Sequence, residues 1–499
     1  MHSLLKNLSV LLVSAPVLAF AWTFGGSRVQ PLIRVMPWAS LACAVGLLLL
    51  PQRHGDEAWG VSVRRVVVAV LKDSFFWVAL VLMAYLAIPL FNVALCPGCD
   101  WQAIDAGVNP KAPCQFLPFS VRPAEHAGLL WLFGPSLLAA LAIRHGLTRS
   151  GKRTCFELLV WNGAALALLG VVQKAFGALS PFWGDAMYAQ VHFFSVFGYP
   201  NMGGAFFTLM FAFSLGLWCC RMGRSEAVSL KSEKEGGRHV FLGTHYPFLA
   251  VMLNLCGVLG TLCRAAIIFV VALSAIFFVY VLLRAFSGHD WRRGRRFRHA
   301  IASCSLMMGL FAAVYVYAPP EVGREIGTVS PLAIADRVTG KGEYHTRVAT
   351  AIMRDFPFFG VGGWGYRHFS HAYMTDEELR HRQRQGGANV HNDYLQFLAE
   401  HGIVGALLIV ACVWILAAQT GREWRRLVRQ ALASERSGMG SSTLVLFAIS
   451  PAVLWSFLGC LALLVHAFGD CPLRSGAVLA VFLAILPVSY GFIPHENRE

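Results

Sequence analysis

Long apolar windows separated by short polar interruptions dominate the chain. They fall at 4–24, 32–50, 74–95, 127–144, 155–173, 202–220, 246–262, 264–286, 299–319, 402–420, 442–468 and 474–492. Each is about 20 residues long, enough for an α-helix to cross a hydrocarbon core of roughly 30 Å. The pattern predicts an all-α polytopic integral membrane protein with about twelve transmembrane helices. The first run, "LLVSAPVLAFAWTF", lacks a clean small-residue cleavage site and is read as an uncleaved first helix. One large interruption breaks the series, from Pro319 to His401. Inside it "HTRVATAIMRDF" has the period of an amphipathic helix, with Val348, Ile352 and Phe356 on one side. "PFFGVGGWGYRHF" then breaks that helix with Pro357 and closely spaced glycines, and "TDEELRHRQRQ" reads as a charged helix or flap. The expected division is therefore 1–319 for nine helices, 320–401 for a large loop, and 402–499 for three more helices.

Composition agrees with this pattern: of 499 residues, 56% are hydrophobic and only 14% charged, outside the range of soluble domains. The net charge of +15 would suggest nucleic acid if it were clustered on a soluble surface. Instead, the arginines and lysines concentrate in 51–73, 145–154, 221–245, 287–298 and 421–441, all on one side of the membrane if the N-terminus is inside. The basicity is thus a topology signal and an attraction to membrane lipid, with no nucleic-acid partner expected. The same topology puts 320–401 on the outer face, where a loop this long is expected to be functional. Most of the thirteen cysteines lie in apolar windows as small filler. Cys96, Cys99, Cys114 and Cys471 fall in outer loops, where disulfides are the expected use, with partners unassigned.

Three polar elements sit beside the apolar runs. In "NVHNDYLQFLAEHGIVGALLIV", residues 389–410, a helix starting near His391 would place Leu395, Leu398, Gly402 and Gly405 on the same face as the histidine. That reading recesses the imidazole at the mouth of the bundle and turns Asp393, Gln396 and Glu400 elsewhere. Arg264, in "GTLCRAAIIF", divides two apolar runs, a costly place for a cation unless it faces water or an anion. A guanidinium suits bidentate phosphate binding. In "QVHFFSVFGYPNMGGAFF", Tyr199, Pro200 and Asn201 form a turn, and Gly203 with Gly204 permits close approach of the following helix to another backbone.

In this order, "FGYPNMGGAF", "TLCRAAIIF", "RDFPFFGVGGWGYRHF" and "HNDYLQFLAEHGIVG" resemble the O-antigen ligase and Wzy-type polysaccharide polymerase superfamily, over roughly residues 155–420. The resemblance implies an enzyme of the bacterial inner membrane, with its site facing the periplasm. It would take a glycan from an undecaprenyl-diphosphate carrier and transfer it to an acceptor hydroxyl, with inversion and without a nucleotide sugar, essential metal or other cofactor. His391 is then the expected catalytic base and Arg264 the expected catalytic cation on the diphosphate. Arg347, Arg354, His192 and Asn201 are the expected substrate-binding residues. Relatives carry an arginine where counting back from Asn201 lands on His192, a departure for which Lys174 or an arginine of the large loop would have to compensate. The acceptor is left open between a glycan, a lipid and a protein, so ligase, polymerase and protein oligosaccharyltransferase all remain.

Two readings from other classes compete. A lipid-linked glycan transporter would suit twelve helices and a buried arginine, but its charged groups would sit near the bilayer midplane in related halves, and no internal repeat is visible. A zinc enzyme would use His368 and His371 of "RHFSH" with His391, without the spacing of an established zinc motif.

Overall fold

The computed structural model describes residues 2–27, 29–53, 57–94, 112–114, 116–184, 193–227, 243–286, 293–317, 320, 323, 343–385, 389–436 and 450–493. Regular structure among the described residues is helical, with two isolated β-bridges, Val93 to Ser120 and Phe194 to Phe197. A helix lies within every one of the twelve apolar windows. Among the described residues, eight helices are long and apolar enough to cross a membrane, or nine if Trp59–Leu71 and Ser74–Leu90, bent by 63° at their junction, count as one span. Pro451–His466 and Gly476–Phe492 are apolar but shorter.

The bend has a local cause. Asp73 caps the second helix of that pair by accepting the Phe75 amide at 3.0 Å, and its carboxylate meets Arg144 at 2.8 Å and His145 at 2.7 Å. Ser62, Val66 and Val70, one turn apart, are the buried line of Trp59–Leu71, a helix in a segment read from the sequence as a loop.

The chain forms two compact units. The first comprises Met1–Leu147, Val329–Leu416 and Leu464–Ala484. Helices His2–Trp22, Val29–Leu48 and Pro123–Gly146 pack together in it, with Ser74–Ala87 against the last of these. Part of the large interruption folds onto this bundle as a body with its own apolar core. Val348 and Ile352 of helix Glu343–Asp355 are fully buried with Phe119, Val361, Tyr366, Phe369 and Ala399, and Phe356 packs against them. The amphipathic helix is thus where the sequence pattern puts it. The charged helix is Asp376–Gln385, opened by a reciprocal cap: Thr375 N–H donates to Glu378 Oε2 at 2.8 Å, and the Glu378 amide donates to Thr375 Oγ1 at 3.4 Å.

The second unit comprises Thr148–Thr328, Ala417–Leu463 and Ile485–Glu499. Helix Pro200–Ala227 is its centre, almost wholly enclosed by Arg149–Ala175, Pro247–Gly260 and Arg264–Phe286. One set of buried polar groups in this unit is paired in series: Trp218 Nε1 donates to His245 Nδ1 (3.0 Å), His245 Nε2 meets His299 Nδ1 (3.2 Å), and His299 Nε2 meets Ser225 Oγ (3.2 Å).

Candidate functional site

The polar stretch around His391 is organised by one cap. The Asn392 side chain accepts the Leu395 amide at 3.1 Å, so the helix begins at Asp393, and His391 precedes it in a left-handed backbone conformation with φ 56°. This corrects the helical face predicted from sequence. His391 is out of phase with Leu395 and Leu398, and its side chain is 44% exposed, not recessed. Asp393, Gln396 and Glu400 are the residues that turn inward, and all three are completely buried. A left-handed residue just before the cap resets the phase, a shift that spacing alone does not reveal.

The buried carboxylates are compensated from the loop Phe468–Ser475. The Leu473 amide donates to Asp393 Oδ2 at 2.8 Å, and Arg474 Nη2 donates to Glu400 Oε2 at 2.8 Å. Arg474 Nε lies 3.7 Å from Asp393 Oδ1. Gln396 completes the network, taking the Val390 amide and the Cys471 thiol and donating to Asn389 and Glu400. Cys471, expected in a disulfide, makes none among the described residues and is a buried thiol, whose pKa burial pushes well up. Cys114 makes no disulfide among the described residues, and Cys96 and Cys99 lie outside them.

The same loop supplies the partner of His391. Nδ1 of the imidazole lies 3.5 Å from Oδ1 of Asp470, whose other contacts include the Cys471 amide at 2.7 Å. Burial acts to raise the Asp470 pKa. The adjacent His391 imidazole, His466 and the Cys471 amide outweigh it, leaving the carboxyl below its ordinary value. A second imidazole, His345, stands with its ring centroid 5.9 Å from that of His391, and its Nδ1 meets the Tyr366 hydroxyl at 2.9 Å.

Arg367 and Arg474 both pack on Trp364. The two guanidinium carbons lie 4.2 and 4.7 Å from the Trp364 ring centroid. Trp364 itself has φ 62°, and Gly360 and Gly362 also have positive φ, so the turn predicted after Pro357 is a tight left-handed one. It is pinned to the opposing kink: the Val361 and Gly362 amides donate to the Ala399 and Glu400 carbonyls at 3.1 and 2.9 Å, and the Ile403 amide to Pro357 at 2.9 Å. Gly402, with φ 59°, forms that kink against the Phe358 backbone. His126 holds the turn from the other side, accepting the Gly363 amide at Nδ1 and donating from Nε2 to Leu86, each at 2.8 Å.

The remaining expected residues separate. Arg347 and Arg354 are exposed on helix Glu343–Asp355, and Arg347 is paired with Glu378 at 2.5 Å. Arg264 and Asn201 belong to the second unit. There, Leu262 in left-handed conformation breaks the chain just before helix Arg264–Phe286, and the start of Pro200–Ala227 abuts that break. A Cβ on Gly203 would lie 3.0 Å from Thr261, and one on Gly204 2.6 Å from Cys263. The close approach predicted for these glycines is therefore made to the residues preceding Arg264. Asn201 Nδ2 donates to the Tyr199 hydroxyl at 3.1 Å. His192 lies outside the described residues. Lys174 stacks 4.1 Å from the ring centroid of Phe193.

Residues 249–410 match the family model described as O-antigen ligase. The match spans 162 of the 499 residues, and over them the chain is similar to the O-antigen ligase-like superfamily. The ligase-like segment runs from the helix before Arg264 through the large loop to the helix after His391, and the "FGYPNMGGAF" turn lies outside it. The members of that family are glycosyltransferase- and ligase-type enzymes, and the match supports glycan transfer in general. No curated protein matches the chain.

Sequence reasoning missed Asp470 and Arg474, which lie beyond the matched segment. The signal was present in "FGDCPLRSG", where an aspartate and an arginine interrupt an otherwise apolar stretch. Among the described residues no three His, Cys, Asp or Glu side chains converge as a metal-ligand set, and His368 of the zinc alternative meets Glu125 at 3.4 Å.

Proposed function

We propose that this protein transfers a glycan from undecaprenyl diphosphate to an acceptor hydroxyl at the periplasmic face of the bacterial inner membrane. In this reading twelve spans carry residues 1–319 and 402–499, and 320–401 is a periplasmic loop that covers the site. Support comes chiefly from one observation: within the ligase-like segment His391 is exposed, with its Nδ1 turned to the buried carboxylate of Asp470.

The mechanism follows from that orientation. Asp470 favours the tautomer carrying the proton on Nδ1, leaving Nε2 as the basic atom. Nε2 takes the proton of the acceptor hydroxyl as its oxygen attacks the anomeric carbon from the face opposite the diphosphate. The bond from that carbon to the phosphate oxygen breaks, and undecaprenyl diphosphate leaves with the electron pair. Diphosphate is a good leaving group, so cations rather than a strong acid are needed, and Arg264 is the one assigned to it. Asn201 and Lys174 are assigned to the donor, with Arg354 as a second cation on it. Arg347, tied to Glu378, would have to exchange partners to join them, and His192 would act as a hydrogen-bond donor to diphosphate.

The test is acceptor-dependent release of undecaprenyl diphosphate by purified protein in nanodiscs, using a panel of glycan, lipid and protein acceptors that includes the donor itself. Release by wild type and its loss in His391→Ala and Arg264→Ala support the reading, and the productive acceptor separates ligase, polymerase and protein oligosaccharyltransferase. No release with any acceptor, together with movement of the lipid-linked glycan across a vesicle, would establish the transporter instead.

A further inference from the structure

Helix Asp393–Arg436 does not stop where its apolar span stops, at Arg422. Along the extension Arg422, Arg425, Arg426 and Arg429 recur at the spacing of one helical face. Together they line a cleft of about 300 Å³, and Arg422, Arg425 and Arg429 are exposed. Residues 421–436 contain five arginines against two glutamates, so the segment is strongly basic as a whole. Like charges three and four residues apart disfavour a helix. Neither membrane insertion nor topology requires the four to share a face, because the positive-inside rule counts charge without regard to helical phase.

A convergent set of guanidinium forks is suited to phosphate oxygens, which they bind in bidentate fashion. We propose that this face is a binding site for the phosphate headgroup of an anionic membrane lipid. The site begins on the residue at which the apolar span ends, which sets it at headgroup depth on a surface where a bilayer supplies phosphodiesters. The cleft is formed on the membrane-crossing helix itself, so the bound lipid would brace that helix at the end opposite His391. This site is independent of the glycan-transfer reading.

The experiment is native mass spectrometry of the full chain in detergent, titrated with phosphatidylglycerol or phosphatidylcholine. Wild type is expected to retain phosphatidylglycerol preferentially. The combined variant Arg422→Gln, Arg425→Gln, Arg426→Gln, Arg429→Gln is expected to lose that preference, each arginine being worth about a five-fold change in retention. Should the combined variant fail to fold, Arg425→Gln alone is expected to show its five-fold reduction. Equal retention of both lipids by wild type, or undiminished preference in the variants, would overturn the proposal. Displacement of the lipid by millimolar inorganic phosphate or pyrophosphate would assign the cleft to a soluble anion and overturn the lipid assignment.

Discussion

His391 Nδ1 lies 3.5 Å from Oδ1 of Asp470, so the exposed imidazole and the buried carboxylate form a dyad built from two loops far apart in sequence. A general base aligned in this way contributes on the order of 10² to 10⁴ in rate. Asp470→Asn keeps Oδ1, which accepts the Cys471 amide and faces His391 Nδ1, but removes the negative charge that would stabilise the imidazolium formed in the reaction. The expected result is a fall of about 10² or more in kcat for undecaprenyl diphosphate release, with little change in donor KM. An unchanged kcat would leave Asp470 a structural residue only.

The same carboxylate sets a pH dependence of stability. Its folded pKa lies below the ordinary 3.8, so the stabilisation it provides is complete above that value and is lost as pH falls through the folded one. Thermal unfolding midpoints are expected to stay level between about pH 8 and 5 as far as this group is concerned, then to drop below about pH 4. The drop should be shallower in Asp470→Asn, measured by scanning fluorimetry in one detergent across the series. An equal drop in both proteins would assign the acid lability to other carboxylates.

The apolar pattern made the helices legible, and the helical phase around His391 was misread for identifiable reasons. Apolar runs report spans because a bilayer tolerates little else, and a helix stands in each window. Val348, Ile352 and Phe356 were recoverable because one amphipathic face packs on one core. His391 was found, but its surroundings were inverted, because Asn392 capping and a left-handed residue move the helical phase by local geometry. Asp393 and Glu400 look like solvent residues until Arg474 is placed beside them from a loop some seventy positions later. Spacing cannot show that pairing, although an arginine in an apolar stretch was itself a signal.

Arg474 is expected to matter for stability more than for chemistry. It is almost wholly buried and compensates Glu400 at 2.8 Å and Asp393 at 3.7 Å, so Arg474→Met leaves two carboxylates in a site closed to water. Breaking a buried ion pair from one side costs about 3 to 5 kcal/mol. The variant should unfold at markedly lower temperature or denaturant. Adding Glu400→Gln should recover part of the loss, because one uncompensated charge is then removed. No recovery in the double variant would mean that lost packing against Trp364 and Phe397 dominates.

In the second unit, Gly204 controls how closely helix Pro200–Ala227 approaches the break before Arg264. A Cβ there would stand 2.6 Å from Cys263 Cβ and 2.9 Å from Ala266 Cβ, closer than side-chain carbons approach one another. Gly204→Ala should therefore cost about 1 to 3 kcal/mol by overpacking and displace the Arg264 turn. The proposed role of Arg264 makes a further demand: donor-dependent release should fall along with stability, and Cys263→Gly should relieve both by removing the opposing Cβ. Rescue of stability without rescue of release would separate packing at this break from the chemistry assigned to Arg264.

The outer placement proposed for the large loop rests on charge bias and is open to direct labelling. Glu377 is exposed on helix Asp376–Gln385, and Arg425 is exposed beyond the apolar span that follows His391. One crossing separates them along the chain, so single cysteines at the two positions should respond oppositely to an impermeant thiol reagent added to intact cells. The background should carry serine at Cys96, Cys99 and Cys114, which lie in the outer loop expected from sequence. Labelling of Glu377→Cys and protection of Arg425→Cys would put His391 on the side where lipid-linked glycans await transfer. The reverse pattern would put the His391–Asp470 dyad on the cytoplasmic side and remove the basis for a periplasmic reaction.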